Sequence, residues 1–251
     1  MFITAVTSLD DEVFAVRWDS SQQVEVYDAV TFTLQCHISI PVFSRYLYRI
    51  TACARNKCLY LSDLDNNVHR VELSGSNGVK KWSVASGAAG LSVNKEHNLV
   101  VACCGANKLQ EYTTNGTLVR EIYLQAGVTS PWHAIQLSTG DYVVCECTSP
   151  GVVRVVGVDG QVVRSYVGQM KCPSGLAVTK NDDILVADEN NNRILSINRS
   201  TGCVQEMALS VDGGIQHPRG LWLDESRGRL YVSEVSGQHR VLVYDGIDVT
   251  P

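Results

Sequence analysis

Four acidic residues, each at the end of a short apolar run, are the first candidates for chemistry. Asp63, Glu146, Asp188 and Glu234 all precede a polar turn. Carboxylates gathered on one rim could coordinate a metal ion. At a strand end before a tight turn, they could instead accept hydrogen bonds from loop amides or a neighbouring arginine. The second interpretation fits their common position better, so we predict no metal site and no cofactor.

A second group combines basic and aromatic side chains. Arginine beside exposed tryptophan or histidine offers planar stacking and charge-assisted hydrogen bonds, a composition typical of recognition surfaces. The same mixture could bind single-stranded RNA by stacking and phosphate contacts. The residues that we predict to form a binding surface are Arg17, Arg49, Lys108, Trp132, His133, Arg193, Arg219, His239 and Arg240.

His133, in the segment Ser-Pro-Trp-His-Ala-Ile, stands where similar segments carry Gly175 and Gly220. A catalytic or ligand-binding histidine and a hydrogen-bonded histidine in a channel wall both fit this position, and we favour the second. The neighbouring Trp132 is either exposed for stacking or packed between sheets. No nucleophile-elbow, zinc-protease, dinucleotide or phosphate-loop motif occurs. We therefore predict that the protein is not an enzyme, with a metal-dependent channel lyase or hydrolase as the alternative.

The composition of the chain limits its possible partners and its cellular location. The chain has 251 residues, a net charge of −5 and no apolar run as long as the roughly 18 residues of a membrane helix. Its acidic balance argues against DNA and against strong nonspecific nucleic-acid binding. The first residues make a poor signal peptide, and the nine cysteines contain no C-x-x-C pair. We therefore expect no disulfide framework, no zinc site, no membrane association and a reducing, cytoplasmic location.

These residues belong to a repeating unit. In the fifth unit, Gly175 opens an apolar run and Asp188 closes the next run thirteen residues later. The same template places Gly220, His133, Gly90, Ile50 and Thr4 as the equivalent anchors of the other units. The closing positions recur every 40 to 46 residues and are Arg17, Asp63, Cys103, Glu146, Asp188 and Glu234.

Each unit predicts four short strands, because alternating apolar and β-branched residues are separated by Asn-, Asp- and Gly-rich turns. In the fifth unit the strands are expected at 175–179, 183–187, 193–198 and 204–209. Six four-stranded units without helices predict an all-β fold, a six-bladed β-propeller of antiparallel blades. We expect one domain over 1–251, with blades near 1–40, 41–84, 85–126, 127–168, 169–212 and 213–251.

In such a ring, the loops before each inner strand and the loops between second and third strands share one face, here called the top face. The nine candidate binding residues should converge there. Ring closure is the open point, since only Gly246–Pro251 remain for the last outer strand. A bare sheet edge is costly, which suggests that the chain is part of a larger multidomain protein.

The fifth and sixth units also resemble the NHL repeat. The fifth carries Pro173, Gly175, Asp188, Asn191 and Arg193-Ile194, and the sixth carries Pro218, Gly220, Glu234 and Arg240-Val241. The other units keep the spacing but depart from the pattern, with Arg17 and Cys103 where Asp is usual.

This resemblance implies a six-bladed ring similar to the C-terminal domain of tripartite-motif proteins. There the propeller follows RING, B-box and coiled-coil segments, recruits protein or RNA, and the RING acts as a ubiquitin ligase. No such Cys/His-rich segment occurs in this sequence, so any ligase activity would come from elsewhere. We expect a non-catalytic recognition or scaffold propeller for a protein or peptide partner, with RNA as the alternative.

Overall fold

The computed structural model describes residues 2–19, 21–40, 46–74, 78–209, 214–236 and 240–247. Within them, 23 β-strands form six separate antiparallel sheets, each with its strands in sequence order from innermost to outermost. The prediction of an all-β, six-bladed propeller is confirmed. The only helical elements in the described ranges are two 3-10 turns, Cys104–Ala106 and Glu189–Asn191.

The first three blades have four strands each. Blade 1 contains β1 (Ile3–Leu9), β2 (Glu12–Arg17), β3 (Gln23–Asp28) and β4 (Leu34–Ser39). Blade 2 contains β5 (Leu47–Cys53), β6 (Cys58–Asp63), β7 (Asn67–Glu72) and β8 (Val79–Ser83). Blade 3 contains β9 (Ala88–Val93), β10 (Leu99–Cys103), β11 (Lys108–Tyr112) and β12 (Leu118–Tyr123).

Two of the last three blades are also four-stranded. Blade 4 contains β13 (Pro131–Gln136), β14 (Tyr142–Glu146), β15 (Val152–Val156) and β16 (Val162–Val167). Blade 5 contains β17 (Pro173–Val178), β18 (Ile184–Asp188), β19 (Arg193–Ile197) and β20 (Val204–Glu206). Blade 6 has three strands in the described part of the chain: β21 (Pro218–Asp224), β22 (Arg229–Glu234) and β23 (Val241–Tyr244).

Apolar packing between neighbouring blades holds the ring together. The buried apolar residues of the described chain fall into six clusters, one at each blade-to-blade interface. At the closing interface, Val6 and Val13 of blade 1 pack with Tyr231 of blade 6. Trp222 Nε1 also donates to Ser8 Oγ at 2.8 Å across this interface. The first and last blades thus meet face to face, although the last blade lacks a described fourth strand.

Every inner strand has a β-bulge at the same place near its start. Pairing between the first and second strands skips one residue in each blade. A bulge bends the strand and turns its side chain in a new direction. The six residues skipped, here called the bulge positions, are Thr4, Tyr48, Ala89, Trp132, Ser174 and Arg219.

The residue after each bulge, here called the channel position, faces the neighbouring blade. A Cβ on Gly175 would overlap the carbonyl oxygen of Arg219 in the next inner strand. A Cβ on Gly90 would likewise overlap the backbone of Trp132 and His133 in the next inner strand. Glycine in the repeat therefore allows adjacent inner strands to approach closely, as expected where backbones meet.

The pairing corrects the anchors of the first two blades. The residues equivalent to Gly175 are Ala5, one residue after the predicted Thr4, and Arg49, one residue before the predicted Ile50. The prediction placed both of these anchors thirteen residues before the closing position. The first hairpin is in fact one residue longer in blade 2 and one shorter in blade 1 than in blade 5.

The close approach at Gly175 predicts that a glycine-to-alanine substitution destabilises the protein more there than at an open position. Gly175→Ala should lower the free energy of unfolding by about 1–3 kcal/mol, because the methyl group would push two backbones apart. Gly78→Ala is the matched control, since its added Cβ would have one neighbour, Glu72 Oε2 at 3.8 Å. It should change stability by less than about 1 kcal/mol. Equal effects of the two variants in urea unfolding would contradict this explanation.

Candidate ligand-binding site at the channel mouth

The bulge and channel positions form two rings of side chains at the top of the central channel. Among the bulge positions, blades 2, 4 and 6 carry the large side chains Tyr48, Trp132 and Arg219, whereas the other three blades carry small ones. Among the channel positions, Arg49 and His133 are the two long side chains, and the other four are alanine or glycine. Long side chains therefore project into the mouth at a few defined points.

Aromatic rings surround this mouth. Trp18, from the loop after β2, stacks between Phe2 and Tyr46 with centroid distances of 5.8 and 4.8 Å. Its edge meets Tyr48, which in turn meets Trp132 edge to face at 6.2 Å. Tyr48 is almost fully buried and the other four rings are partly exposed. We call Phe2, Trp18, Tyr46, Tyr48 and Trp132 the aromatic cluster.

Arg49 lies beneath this cluster and is buried, with 6% of its surface exposed. Its Nε donates to the carbonyl oxygen of Ala89 at 2.9 Å, and its Nη1 donates to that of Thr4 at 3.3 Å. The side chain therefore ties the inner strands of blades 1 and 3 to blade 2. Its guanidinium carbon lies 4.9 Å from the Tyr48 ring centre and 5.8 Å from that of Trp132.

His133 likewise links the inner strand of its own blade to those of the two neighbouring blades. Its Nδ1 accepts a hydrogen bond from the Leu176 amide at 3.1 Å, and its Nε2 lies 3.1 Å from the carbonyl oxygen of Leu91. Because Nδ1 accepts, Nε2 carries the proton and the ring is neutral. Burial, with the charge of Arg49, lowers the pKa of His133 from 6.5 to about 4. The ring links three consecutive inner strands, as the favoured interpretation expected.

Arg219 is the second arginine of the mouth. Its Nε and Nη2 donate to the two carboxylate oxygens of Glu189 at 3.0 and 2.6 Å, a bidentate pair. Its guanidinium carbon also lies 6.0 Å from the centre of the Phe2 ring. Glu189 comes from the 3-10 turn after β18, so this pair joins blades 5 and 6.

The acidic residues that close the second strands brace loops. Glu146, Asp188 and Glu234 accept the backbone N–H of Thr129, Lys171 and Gln216 in the loop before their blade, at 2.6 to 2.8 Å. Each also pairs with an arginine at the start of the third strand or within it, Arg154, Arg193 or, directly before β23, Arg240, at 2.5 to 2.9 Å. Each arginine in turn donates to a carbonyl of the same loop. These three carboxylates are therefore structural, as predicted.

The first three blades use other partners for the same positions. Asp63 accepts from His69 Nε2 at 2.8 Å in blade 2. In blade 3, where Cys103 replaces the acid, Gln110 Oε1 accepts the amide of Ala85 at 2.8 Å. In blade 1, Arg17 pairs with Glu25. No group of three potential metal ligands occurs among the described residues.

The predicted binding residues therefore divide into two sets. Arg49, Trp132, His133 and Arg219 come together at the channel mouth. Arg17, Lys108, Arg193 and Arg240 do not join them, because each is held in an ion pair with a carboxylate of its own blade. His239 lies outside the described residues. A binding role for the second set stays a prediction.

Sequence reasoning did not include Phe2, Trp18 and Glu189 in the site. A signal existed, because Trp18 directly follows the closing residue of a second strand and Phe2 directly precedes an inner strand. Both positions belong to the top face once the blade pattern is known. Glu189 directly follows the closing residue Asp188, but its pairing with a residue 30 positions away has no sequence signature.

The prediction that the cysteines form no disulfides is wrong for one pair. The structure joins Cys147, after β14, to Cys172, before β17, as a disulfide between blades 4 and 5. The two cysteines are 25 residues apart, so no short sequence motif predicts that they pair. Disulfides persist mainly in oxidising compartments, so this pair gives no support to the expected cytoplasmic location. Within the described residues, no helix has the length and apolar character needed to cross a membrane.

Comparisons with known proteins agree with the fold. The NHL repeat model matches residues 170–195, which include β17 and β18. No curated protein matches the chain. A protein of unknown function from Bacteroides caccae is 14% identical, with a TM-score of 0.76 over 95% of this chain and 91% of that one. Hydrazine synthase of Kuenenia stuttgartiensis is 19% identical, with a TM-score of 0.72 over 97% of this chain and 76% of that one.

Enzymes also occur among the similar structures. A streptogramin B lyase structure is 13% identical to the chain, with a TM-score of 0.71, and the match covers 97% of this chain and 82% of that one. At such identities the likeness establishes the fold alone. The chain is a six-bladed β-propeller whose fifth blade carries an NHL repeat.

The neutral state of His133 predicts a specific pH dependence. Between pH 6.5 and about 4 the unfolded chain binds a proton that folded His133 does not bind. The free energy of unfolding should therefore fall as the pH is lowered through this range, by up to about 3 kcal/mol from this residue. His133→Gln, which keeps a donor and an acceptor, should remove that part of the fall in urea unfolding.

His37→Gln is the matched control, because His37 lies exposed on the outer strand β4. It should keep the wild-type pH dependence. An unchanged pH dependence in His133→Gln would show that the imidazole of the channel wall is not the group responsible.

The brace in blade 5 predicts a contrast between two carboxylates. Asp188→Asn should lower the free energy of unfolding by about 2–3 kcal/mol, because it leaves Arg193 and the Lys171 amide facing a neutral group. Asp245→Asn breaks a pair with Arg229 in which the carboxylate is 68% exposed, and should cost less than about 1 kcal/mol. Thermal denaturation measures both, and a larger loss for Asp245→Asn would contradict a structural role for Asp188.

Proposed function

We propose that this propeller is a non-catalytic recognition module that binds a protein or peptide partner at its channel mouth. The observation that carries the proposal is the convergence of the aromatic cluster with Arg49 and Arg219. Aromatic and arginine side chains dominate binding energy in protein interfaces, because they combine a large apolar area with directed polar groups. Here they come from blades 1, 2, 4 and 6 and meet on one surface.

The channel chemistry favours binding over catalysis. Among the described residues that line the channel there is no carboxylate and no cysteine, and His133 is its one histidine. Both nitrogens of that histidine already have partners in the neighbouring strands. A general base needs a nitrogen free to take a proton from substrate. The similarity to lyase structures rests on the fold and supplies no residue for that chemistry.

The ion pairing of the basic side chains disfavours RNA as the partner. Phosphate binding needs basic groups that can neutralise a polyanion. Arg17, Lys108, Arg154, Arg193, Arg219 and Arg240 each pair with a carboxylate of this chain. The net charge of −5 adds a general repulsion. A protein or peptide needs no such excess of positive charge.

The resemblance to tripartite-motif proteins supports a more particular setting. In that setting the propeller recruits the substrate of a ubiquitin ligase, and the ligase activity belongs to a RING segment outside these residues. The channel mouth would then be the substrate-recruiting surface.

Replacing two rings of the mouth tests the proposal. The double variant Trp18→Ala/Trp132→Ala should lose at least about tenfold in affinity for a captured partner, because each ring supplies a large contact area. Pull-down from cell extract followed by titration of the recovered partner provides the measurement. Tyr123→Ala is the matched control, because Tyr123 is 65% exposed on the outer strand β12, away from the mouth.

A folded double variant that keeps every partner with wild-type affinity would contradict the proposal. Nucleic acid as the recovered partner, with an affinity that falls steeply with salt, would support the RNA alternative. Stoichiometric zinc or calcium in the purified protein would revive a channel enzyme.

A further inference from the structure

Arg49 is a buried cation that forms no ion pair with a carboxylate of the described chain. Its guanidinium has five N–H donors, of which the structure assigns two to carbonyl oxygens. Its Nη2 is buried and has no hydrogen-bond partner among the described residues. A buried charge is costly unless it is paired and hydrogen-bonded. The Tyr48 and Trp132 rings offset only part of that cost.

The space beside Arg49 fits a small ligand group. The central channel has a volume of about 210 Å³ and is lined by residues from all six inner strands. Most of its lining is apolar, and the hydroxyl-bearing Thr51 and Ser92 are its small polar side chains. The inner strands have no neighbouring strand on the channel side, so their edges add backbone groups to this wall. A carboxylate with a few attached atoms fits such a volume, whereas a folded domain does not.

The surroundings favour a negative ligand group. Both carboxylate oxygens of Glu189, the acidic residue of the mouth, already accept hydrogen bonds from Arg219. No acidic side chain is among the described channel-lining residues. Burial lowers the pKa of Arg49, and the positive charge of the nearby Arg219 lowers it further. A bound anion would relieve both the burial cost and this repulsion.

We propose that Arg49 anchors a carboxylate of the bound partner, which enters the channel while the rest of the partner lies on the aromatic cluster. The carboxylate comes from a peptide C-terminus or from an acidic side chain. This inference rests on the proposed function and adds the chemical class that the mouth selects. Charge-assisted hydrogen bonds from arginine to carboxylate are about twice as strong as neutral ones, so the contact provides affinity as well as orientation.

Matched small probes test the inference on the wild-type protein. N-acetylphenylalanine and its C-terminal amide differ only in the terminal carboxylate, and N-acetylaspartate amide and N-acetylasparagine amide differ only in the side-chain carboxylate. We expect at least one charged probe to raise the melting temperature and change tryptophan fluorescence at millimolar concentration, while its neutral twin does neither. The pair that responds identifies the source of the carboxylate.

Variants connect the response to Arg49. Arg49→Lys keeps the charge but loses the planar fork, and should weaken binding of the charged probe at least about tenfold. Arg120→Lys, on the outer strand β12 and paired with Glu111, should bind as the wild type does. Inorganic phosphate at matched ionic strength serves as a third arm, and a response to phosphate alone would overturn the carboxylate assignment.

The wild-type measurements keep the test decisive if Arg49→Lys does not fold. Equal responses to the charged and neutral twins, or none to either, would overturn the inference. That outcome differs from failure of the proposed function, which would appear as unchanged partner binding in Trp18→Ala/Trp132→Ala. Loss of partners in that variant together with silent carboxylate probes would leave the mouth as the binding surface and remove Arg49 as its anchor.

Discussion

The whole ring depends on six inner strands that have no strand partner on the channel side. Each packs closely against the next, and alanine or glycine at four of the six channel positions permits this approach. Their backbone groups still need partners, because unpaired buried groups are costly. Arg49 and His133 supply some of these bonds by reaching across blade boundaries. The same need that closes the ring therefore places a cation and a neutral imidazole on the channel wall.

The fold was predictable from the sequence because each blade repeats the same local pattern of residue types. Turn residues and apolar runs recur in every blade and a closing acid recurs in four of them, and three of the four strands of blade 5 lie within two residues of their predicted bounds. Hairpin length was the weak point, because a one-residue change in the first hairpin of blades 1 and 2 shifted the anchors. That shift hid the equivalence of Arg49 with Gly175.

The candidate site was predictable only in part. Arg49, Trp132, His133 and Arg219 were chosen for their type and face, and they do meet at the mouth. The ion pairs of Arg17 and Lys108 could not be predicted. Their carboxylate partners lie on other strands of the same blade, so each pair depends on the register between strands. The Cys147–Cys172 bond likewise depends on two loops of different blades that meet only in three dimensions. Long-range contacts of this kind carry no signal in a single sequence.

Amide hydrogen exchange of the protein, alone and with a captured partner, tests most directly whether the channel mouth is the working surface. The account predicts added protection in the segments 46–51, 131–135 and 217–221, which lie in the top halves of blades 2, 4 and 6. The outer strands and the turns of the opposite face should exchange as before. Protection confined to that opposite face, with the three top segments unchanged, would contradict the account.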